Sequence, residues 1–147
     1  MDQVLRVCAV GRQLGYAMYL SLDTLTYLDA AGVWKSEAAK KLQKEAYRAW
    51  MAGLLCSAVS GVYSLYRMRE EGSMGQEAIS TDAEKAVEGK RLVRDRKQAR
   101  MQLLSDLCDL TVPTSALGIT KFDDGFVGLA GTVSSMIGLT TQWAKTA

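Results

Sequence analysis

Residues 125–144 read GFVGLAGTVSSMIGLTTQWA and contain no charged side chain. As an α-helix rising about 1.5 Å per residue, this stretch matches the roughly 30 Å hydrocarbon core of a bilayer. Its many small residues cost helix stability in water, whereas in lipid they let two helix backbones approach closely. The pairs Gly131–Ser135 and Ser134–Gly138 lie four residues apart, on one ridge of a helix. The stretch therefore predicts a membrane span that packs against other helices.

A second uncharged run, residues 49–66, reads AWMAGLLCSAVSGVYSLY and repeats this pattern. Its small residues also recur every four positions, and both runs end abruptly in charge, which favours membrane spans. The alternative is a buried helical hairpin in a soluble all-helical domain, which small residues also permit. We expect helix–helix or oligomer interfaces at the small residues Gly53, Ser57, Gly61, Gly128, Gly131, Ser134, Ser135 and Gly138.

The first segment, residues 4–28, places apolar side chains at spacings of three and four, which is typical of an amphipathic helix. Burying Arg12 and Asp23 at the centre of a bilayer would cost roughly 2.5 to 3.5 kcal/mol each on insertion scales. We therefore expect this helix to lie at the membrane interface or to pack against the spans.

The rest of the chain is predicted from its charge pattern and its turn residues. The charge run at 84–100 is most simply a solvated helix face, with lipid or partner binding as the sharper alternative. The fold class is therefore all-α, an integral membrane bundle of about four helices in a single domain over 1–147. Its expected segments are a helix containing the first span at 36–69, a loop at 70–80, a charged amphipathic helix at 81–111, a turn with a short apolar segment at 112–124 and the second span at 125–144.

Composition argues against several classes of function. The formal net charge is +2, with acids interleaved among the bases, so the chain shows no strong nucleic-acid footprint. The chain has no histidine, which is the commonest general base and metal ligand, and no Gly-rich phosphate loop. Cys8, Cys56 and Cys108 lie far apart, which is typical of small core residues in a reducing compartment. We expect no catalytic residue, no cofactor and no metal site.

The basic residues near the two runs indicate an orientation. Lys40, Lys41, Lys44 and Arg48 precede the first run, and fewer basic residues follow it. If positive charge stays on the cytosolic side, both chain ends are cytosolic and the central loop lies on the opposite side.

Three blocks of the chain read GRQLGYAMYLSLDTLTYL (11–28), EAYRAWMAGLLCSAVSGVYSLY (45–66) and DLCDLTVPTSALGITKFDDGFVGLAGTVSSMIGL (106–139). In this order they resemble the successive blocks of the peroxin 11 family, the peroxisomal membrane proliferation factors. The last block is the most specific, because a D-L-x-x-P turn followed by G-x-V-G-L-x-G-x-x-S-S is hard to reach by chance. The family pattern falls on Asp23, Asp109, Pro113, Gly125, Gly128, Gly131, Ser134 and Ser135.

The resemblance implies a non-enzymatic, multi-pass protein of the peroxisomal membrane that self-associates, elongates the membrane and promotes peroxisome division. It also implies a dynamin-related GTPase and fission adaptors as partners, besides membrane phospholipid and further copies of the chain. Members usually begin with a further amphipathic region, and this chain is expected to start after it. The alternative function is a pore for small metabolites, lined by Ser57, Ser60 and Ser64 or by Thr132, Ser135 and Thr140.

Overall fold

The computed structural model describes residues 2–33, 38–74 and 82–146. Within these ranges every regular element is an α-helix, which confirms the predicted all-α class. The four helices are α1 (Gln3–Ala30), α2 (Ala39–Met74), α3 (Asp82–Ala116) and α4 (Asp124–Thr146).

Two helices end at a glycine with a positive φ angle. Gly32 has φ +76° and Gly118 has φ +73°, a left-handed conformation that glycine adopts without a steric penalty. In each turn the amide of the residue after the glycine donates to a carbonyl of the last helical turn, Val33 to Leu28 and Ile119 to Thr114. These two Schellman-type caps satisfy carbonyls that the helix leaves free and fix where α1 and α3 stop.

Two predicted boundaries are wrong. The helix α2 continues to Met74, so the loop predicted at 70–80 begins too early, and residues 75–81 lie outside the described ranges. The helix α3 does not end at residue 111 but runs through Pro113 to Ala116. Proline lacks the amide that would bond the Asp109 carbonyl four residues back, so α3 gives up one backbone hydrogen bond three residues before its end.

Each helix packs on its neighbours in sequence, α1 on α2, α2 on α3 and α3 on α4. The contacts show that α1 runs antiparallel to α2, because Asp2 meets Arg67 at one end whereas Tyr19 stacks on Trp50 further along. Likewise α3 runs antiparallel to α2, with Arg96 beside Met68 and Asp106 beside Ser57. The first helix therefore packs along the apolar run of α2, which was one of its two predicted placements.

This alignment puts both chain ends at one end of the bundle. At the start of the chain, Asp2 lies beside Arg67, near the end of α2. On α4, Trp143 lies nine residues after Ser134, whose hydroxyl bonds that of Ser105. On α3, Arg96 lies nine residues before Ser105. Equal helical rise, about 13.5 Å, brings Trp143 to the level of Arg96. The basic segment around Lys44 lies at the other end. The predicted orientation, with both chain ends cytosolic and the central loop on the opposite side, stays a prediction, and residues 75–81 of that loop lie outside the described ranges.

The surface of the bundle is strongly apolar. Its accessible area is 10872 Å², whereas a compact soluble protein of this mass exposes about 7,400 Å². Among the described residues the buried apolar side chains are Ala46, Leu54 and Ala130, while large apolar side chains lie exposed on all four helices. Large apolar side chains exposed on every helix are expected where a membrane or another protein surrounds the bundle.

One helical segment in the described ranges, Ala39–Glu70, is long and apolar enough to cross a membrane. Only 17% of its most apolar window is buried inside the bundle, unlike the core helix of a soluble protein. The predicted second span lies in α4, which does not qualify by the same test of length and composition. The frequent glycine, serine and threonine residues of α4 lower its mean hydropathy, so the two-span arrangement stays a prediction.

Candidate functional site

Glycines bring the backbones of α1 and α2 together. A Cβ atom on Gly15 would lie 2.7 Å from the Gly53 Cα atom and 2.8 Å from the Ala49 carbonyl oxygen. One turn away, a Cβ atom on Gly11 would lie 2.9 Å from the Cys56 sulfur. No larger side chain fits at Gly15 without moving the backbone. The predicted small residue Gly53 thus serves a helix contact within the chain.

The other small residues of the predicted row on α2, Ser57 and Gly61, contact α3. A Cβ atom on Gly61 would meet the Leu103 side chain at 3.5 Å, an ordinary packing distance. Between these levels, the Ser57 hydroxyl donates a hydrogen bond to Asp106 Oδ2 at 2.6 Å. Gly53, Ser57 and Gly61 therefore all lie at contacts between helices of one chain.

The Asp106 carboxylate is the centre of a buried polar cluster. Only 2% of Asp106 is exposed, and its second oxygen accepts a hydrogen bond from the Gln102 amide nitrogen at 2.9 Å. Beside it, the hydroxyls of Ser105 and Ser134 are 2.8 Å apart and join α3 to α4. Buried polar groups that satisfy one another in this way fix the register of the helices that carry them.

The cluster lies at the middle of both uncharged runs. Ser57 is at the centre of residues 49–66, and Ser134 is at the centre of residues 125–144. Sequence reasoning treated α3 as a charged, solvated helix and missed Ser105, Asp106 and Gln102. The signal was present, because SD stands inside the apolar context LLSDLCDL, where a solvated carboxylate is not expected.

The predicted small residues of α4 divide into two groups. Ser134 is buried against α3, whereas a Cβ atom on Gly128, Gly131 or Gly138 would meet no atom within 4 Å. Ser135 is exposed, and its hydroxyl donates to the carbonyl of Gly131 in the same helix at 2.8 Å. These four residues share one side of α4 that no other described helix covers.

The remaining motif residues lie at the ends of helices or in the core. Pro113 is fully buried, Asp109 is half-buried, and Gly125 is exposed in the first turn of α4. Asp23 lines a cleft of about 290 Å³ between the end of α1 and the start of α2, together with Asp29 and Lys40. The structure brings none of these four together with the Asp106 cluster into a single pocket.

Most of the hydroxyls proposed to line a pore donate hydrogen bonds to groups of the bundle itself. Thr132 and Thr140 donate to carbonyls of their own helix, to Gly128 at 2.9 Å and to Met136 at 3.0 Å. Ser57 donates to Asp106 instead of facing an opening. In the part of the chain that the structure describes, no group of three metal-ligating side chains occurs, and the three cysteines are free thiols.

Comparison with known proteins gives a consistent result. The family described as peroxisomal biogenesis factor 11 matches residues 1–143. The human peroxisomal membrane protein 11A is 29% identical, with 95% of this chain and 64% of the relative covered. The peroxisomal membrane protein PMP27 of Saccharomyces cerevisiae is 28% identical, with 99% and 64% covered.

A third relative is the peroxisomal biogenesis factor 11 of Schizosaccharomyces pombe, which is 24% identical, with 90% of this chain and 55% of the relative covered. The chain thus spans less than two thirds of the length of each of these relatives. No solved structure matches the chain.

Proposed function

Since the chain belongs to the peroxisomal biogenesis factor 11 family, we propose that it is a non-enzymatic protein of the peroxisomal membrane that self-assembles to elongate the membrane and promote peroxisome division. The relatives are named as peroxisomal membrane proteins or as a biogenesis factor, and none of those names describes an enzyme. Membrane remodelling, fission and self-assembly are the parts that we add to this family role.

Self-assembly is supported by a row of small residues on α4 that no other described helix covers. In α1 and α2, the small residues Gly15 and Gly53 are explained by close contact within the chain. The row Gly128, Gly131, Ser135 and Gly138 has no such internal explanation, although glycine in a helix costs roughly 0.5 to 1 kcal/mol relative to alanine. A close-packed helix of a second copy would use these positions as small-residue rows are used in membranes.

The apolar surface supports membrane embedding of the same bundle. The candidate span Ala39–Glu70 keeps a stripe of exposed apolar side chains directed away from α1 and α3, at Leu55, Val59, Val62 and Tyr66. A patch of such bundles, joined through α4, would cover membrane area with a rigid protein layer. This layer would favour a shape set by the assembly, and it would present a platform to a dynamin-related GTPase and to fission adaptors.

The experiment that tests embedding is carbonate extraction of intact organelles combined with protease protection. We expect the chain to stay with the membrane pellet at alkaline pH, and the two chain ends to be protected or cleaved together. Release of the chain into the supernatant would contradict an integral membrane protein. Protection of one terminus with cleavage of the other would contradict the observed placement of both ends on one side of the bundle.

A metabolite pore is the second candidate function. The hydroxyls of Thr132, Ser135 and Thr140 bond carbonyls of α4 itself, which is the usual role of such side chains in membrane helices. The scaffold therefore accounts better for the structure than the pore does. Solute flux and conductance in reconstituted vesicles separate the two, because a scaffold without a lumen gives neither.

A further inference from the structure

The helix α3 carries a dense group of basic residues in its first half, near the end of α2. Residues 89–100 read GKRLVRDRKQAR, with six basic side chains and a single acid, Asp95. Lys90, Arg94 and Lys97 recur at spacings of four and three, so they share one helix face, and Arg91 flanks it. All four are exposed, and none pairs with an acid among the side chains that the structure describes. We name these four residues the basic face.

The position of the basic face along the bundle is fixed by a contact with α2. The Arg96 guanidinium donates to the Met68 carbonyl, at the place where the uncharged run of α2 gives way to Arg67. From Arg96 to Lys90 the helix rises about 9 Å, and Lys97 lies one residue on the other side. The basic face therefore occupies a band about 10 Å deep at the end of the apolar surface, enough to extend across the headgroup region of one leaflet, which is roughly 5 to 8 Å deep.

Aromatic side chains mark the same level on the other helices. Tyr66, at the end of the apolar stripe of α2, is 60% exposed, and Trp143, at the level of Arg96 on α4, is 72% exposed. Tyrosine and tryptophan are enriched where hydrocarbon meets headgroups, because an apolar ring and a polar atom are both accommodated there. Next to the basic face, Val93 is 68% exposed and adds apolar area at this boundary.

From these observations we propose that the basic face binds the phosphate-bearing headgroups of anionic phospholipids. The inference rests on the proposed membrane embedding and adds the class of lipid and the residues that select it. Exposed lysine and arginine side chains near a bilayer surface gain about fivefold in binding per cation on an anionic membrane. The long side chains reach phosphates while their stems cover apolar surface near Val93. An acidic protein segment fits the charge, but it does not account for the aromatic side chains at the same level.

The test uses the whole chain reconstituted in phosphatidylcholine bilayers with trace spin-labelled lipid. Lipid in contact with the protein gives a motionally restricted component in the electron paramagnetic resonance spectrum, and its fraction is compared for phosphatidylserine and phosphatidylcholine labels. We expect at least a threefold preference for phosphatidylserine in the wild type. The triple variant Lys90→Gln, Arg94→Gln, Lys97→Gln should lose this preference, and so should the wild type in 1 M salt, where the screening length is only about 3 Å.

The matched control removes three charges from the opposite end of the bundle, with Lys40→Gln, Lys41→Gln and Lys44→Gln, and should keep the preference. An unchanged preference in the first triple variant, or an equal loss in both, would overturn the basic face as the selecting site. A restricted component without any preference would overturn lipid selection and leave an acidic protein as the ligand of this face. A spectrum with no restricted component would overturn membrane embedding itself, and with it the proposed function.

Discussion

Ser57 of α2 donates a hydrogen bond of 2.6 Å to Asp106 of α3, a side chain that is almost completely buried. The two residues are 49 positions apart in sequence and meet at the middle of the uncharged run of α2. Gln102, one turn earlier in α3, donates to the other oxygen of the same carboxylate, so the group that joins α3 to α2 has both oxygens bonded. Among the described residues, the buried polar side chains Ser57, Ser105, Asp106 and Ser134 are as enclosed as the few buried apolar ones.

Replacing Asp106 tests this role. Asp106→Ala should lower the free energy of unfolding by about 1–3 kcal/mol, because it leaves the buried Ser57 hydroxyl without its acceptor. Asp106→Asn keeps the shape and one acceptor oxygen, and the Ser57 hydroxyl can rotate to accept from the new amide, so we expect a change within about 1 kcal/mol. Reversible unfolding in mixed detergent micelles measures both variants. Equal stability of the alanine variant and the wild type would show that the cluster does not hold the bundle together.

The close contact of α1 with α2 predicts a strong effect at Gly15. Gly15→Ala should destabilise the fold by about 1–3 kcal/mol, because its Cβ atom would lie 2.7 Å from the Gly53 Cα atom and neither backbone can give way cheaply. The control is Gly89→Ala in α3, where a Cβ atom meets nothing within 4 Å and alanine favours the helix by up to about 1 kcal/mol. Thermal unfolding monitored by circular dichroism compares the two. A variant at Gly15 as stable as the one at Gly89 would contradict the observed helix approach.

The tie between the start of α1 and the end of α2 depends on pH. The Tyr63 hydroxyl donates to Asp2 Oδ2 at 2.9 Å, and Arg67 donates to the same oxygen at 2.6 Å. The hydrogen bond from Tyr63, with Arg67 adding to it, holds the pKa of Asp2 below its ordinary value. The tie is therefore fully present above the ordinary pKa of about 3.9 and is lost as the pH falls through the lowered value.

Amide hydrogen exchange measures this tie, because the first turn of α1 should lose protection as the pH falls below the ordinary pKa of about 3.9 and through the lowered pKa of Asp2. The charge-neutral variant Asp2→Asn removes the titrating group, so its first turn should be less protected throughout and show no such loss. The same pH profile in the wild type and in the variant would assign the effect to another group.

Self-association is tested on the uncovered side of α4. Gly131→Leu combined with Ser135→Leu should reduce crosslinked oligomers in lipid, because two large side chains fill the row that a second copy would approach. The matched control is Thr140→Leu with Ala144→Leu, which adds bulk to exposed positions on the opposite side of α4. Crosslinking in mild detergent and in vesicles should fall for the first pair and persist for the second. Unchanged crosslinking in the first pair would exclude this row as the contact between copies.

The sequence alone determined the helical content of this protein, its two uncharged runs and its small-residue rows, because helix period, charge and residue size are local properties. It could not determine that α3 runs alongside α2, since a charged helix with a short apolar end has no local sign of its partner. Only the tertiary structure decided that Asp106 is buried between helices, that Gly53 meets Gly15, and that the row around Gly131 faces no other described helix. Those facts depend on contacts between residues far apart in the chain. Which side chains meet is set by the alignment of whole helices, and the local sequence of one segment does not determine that alignment.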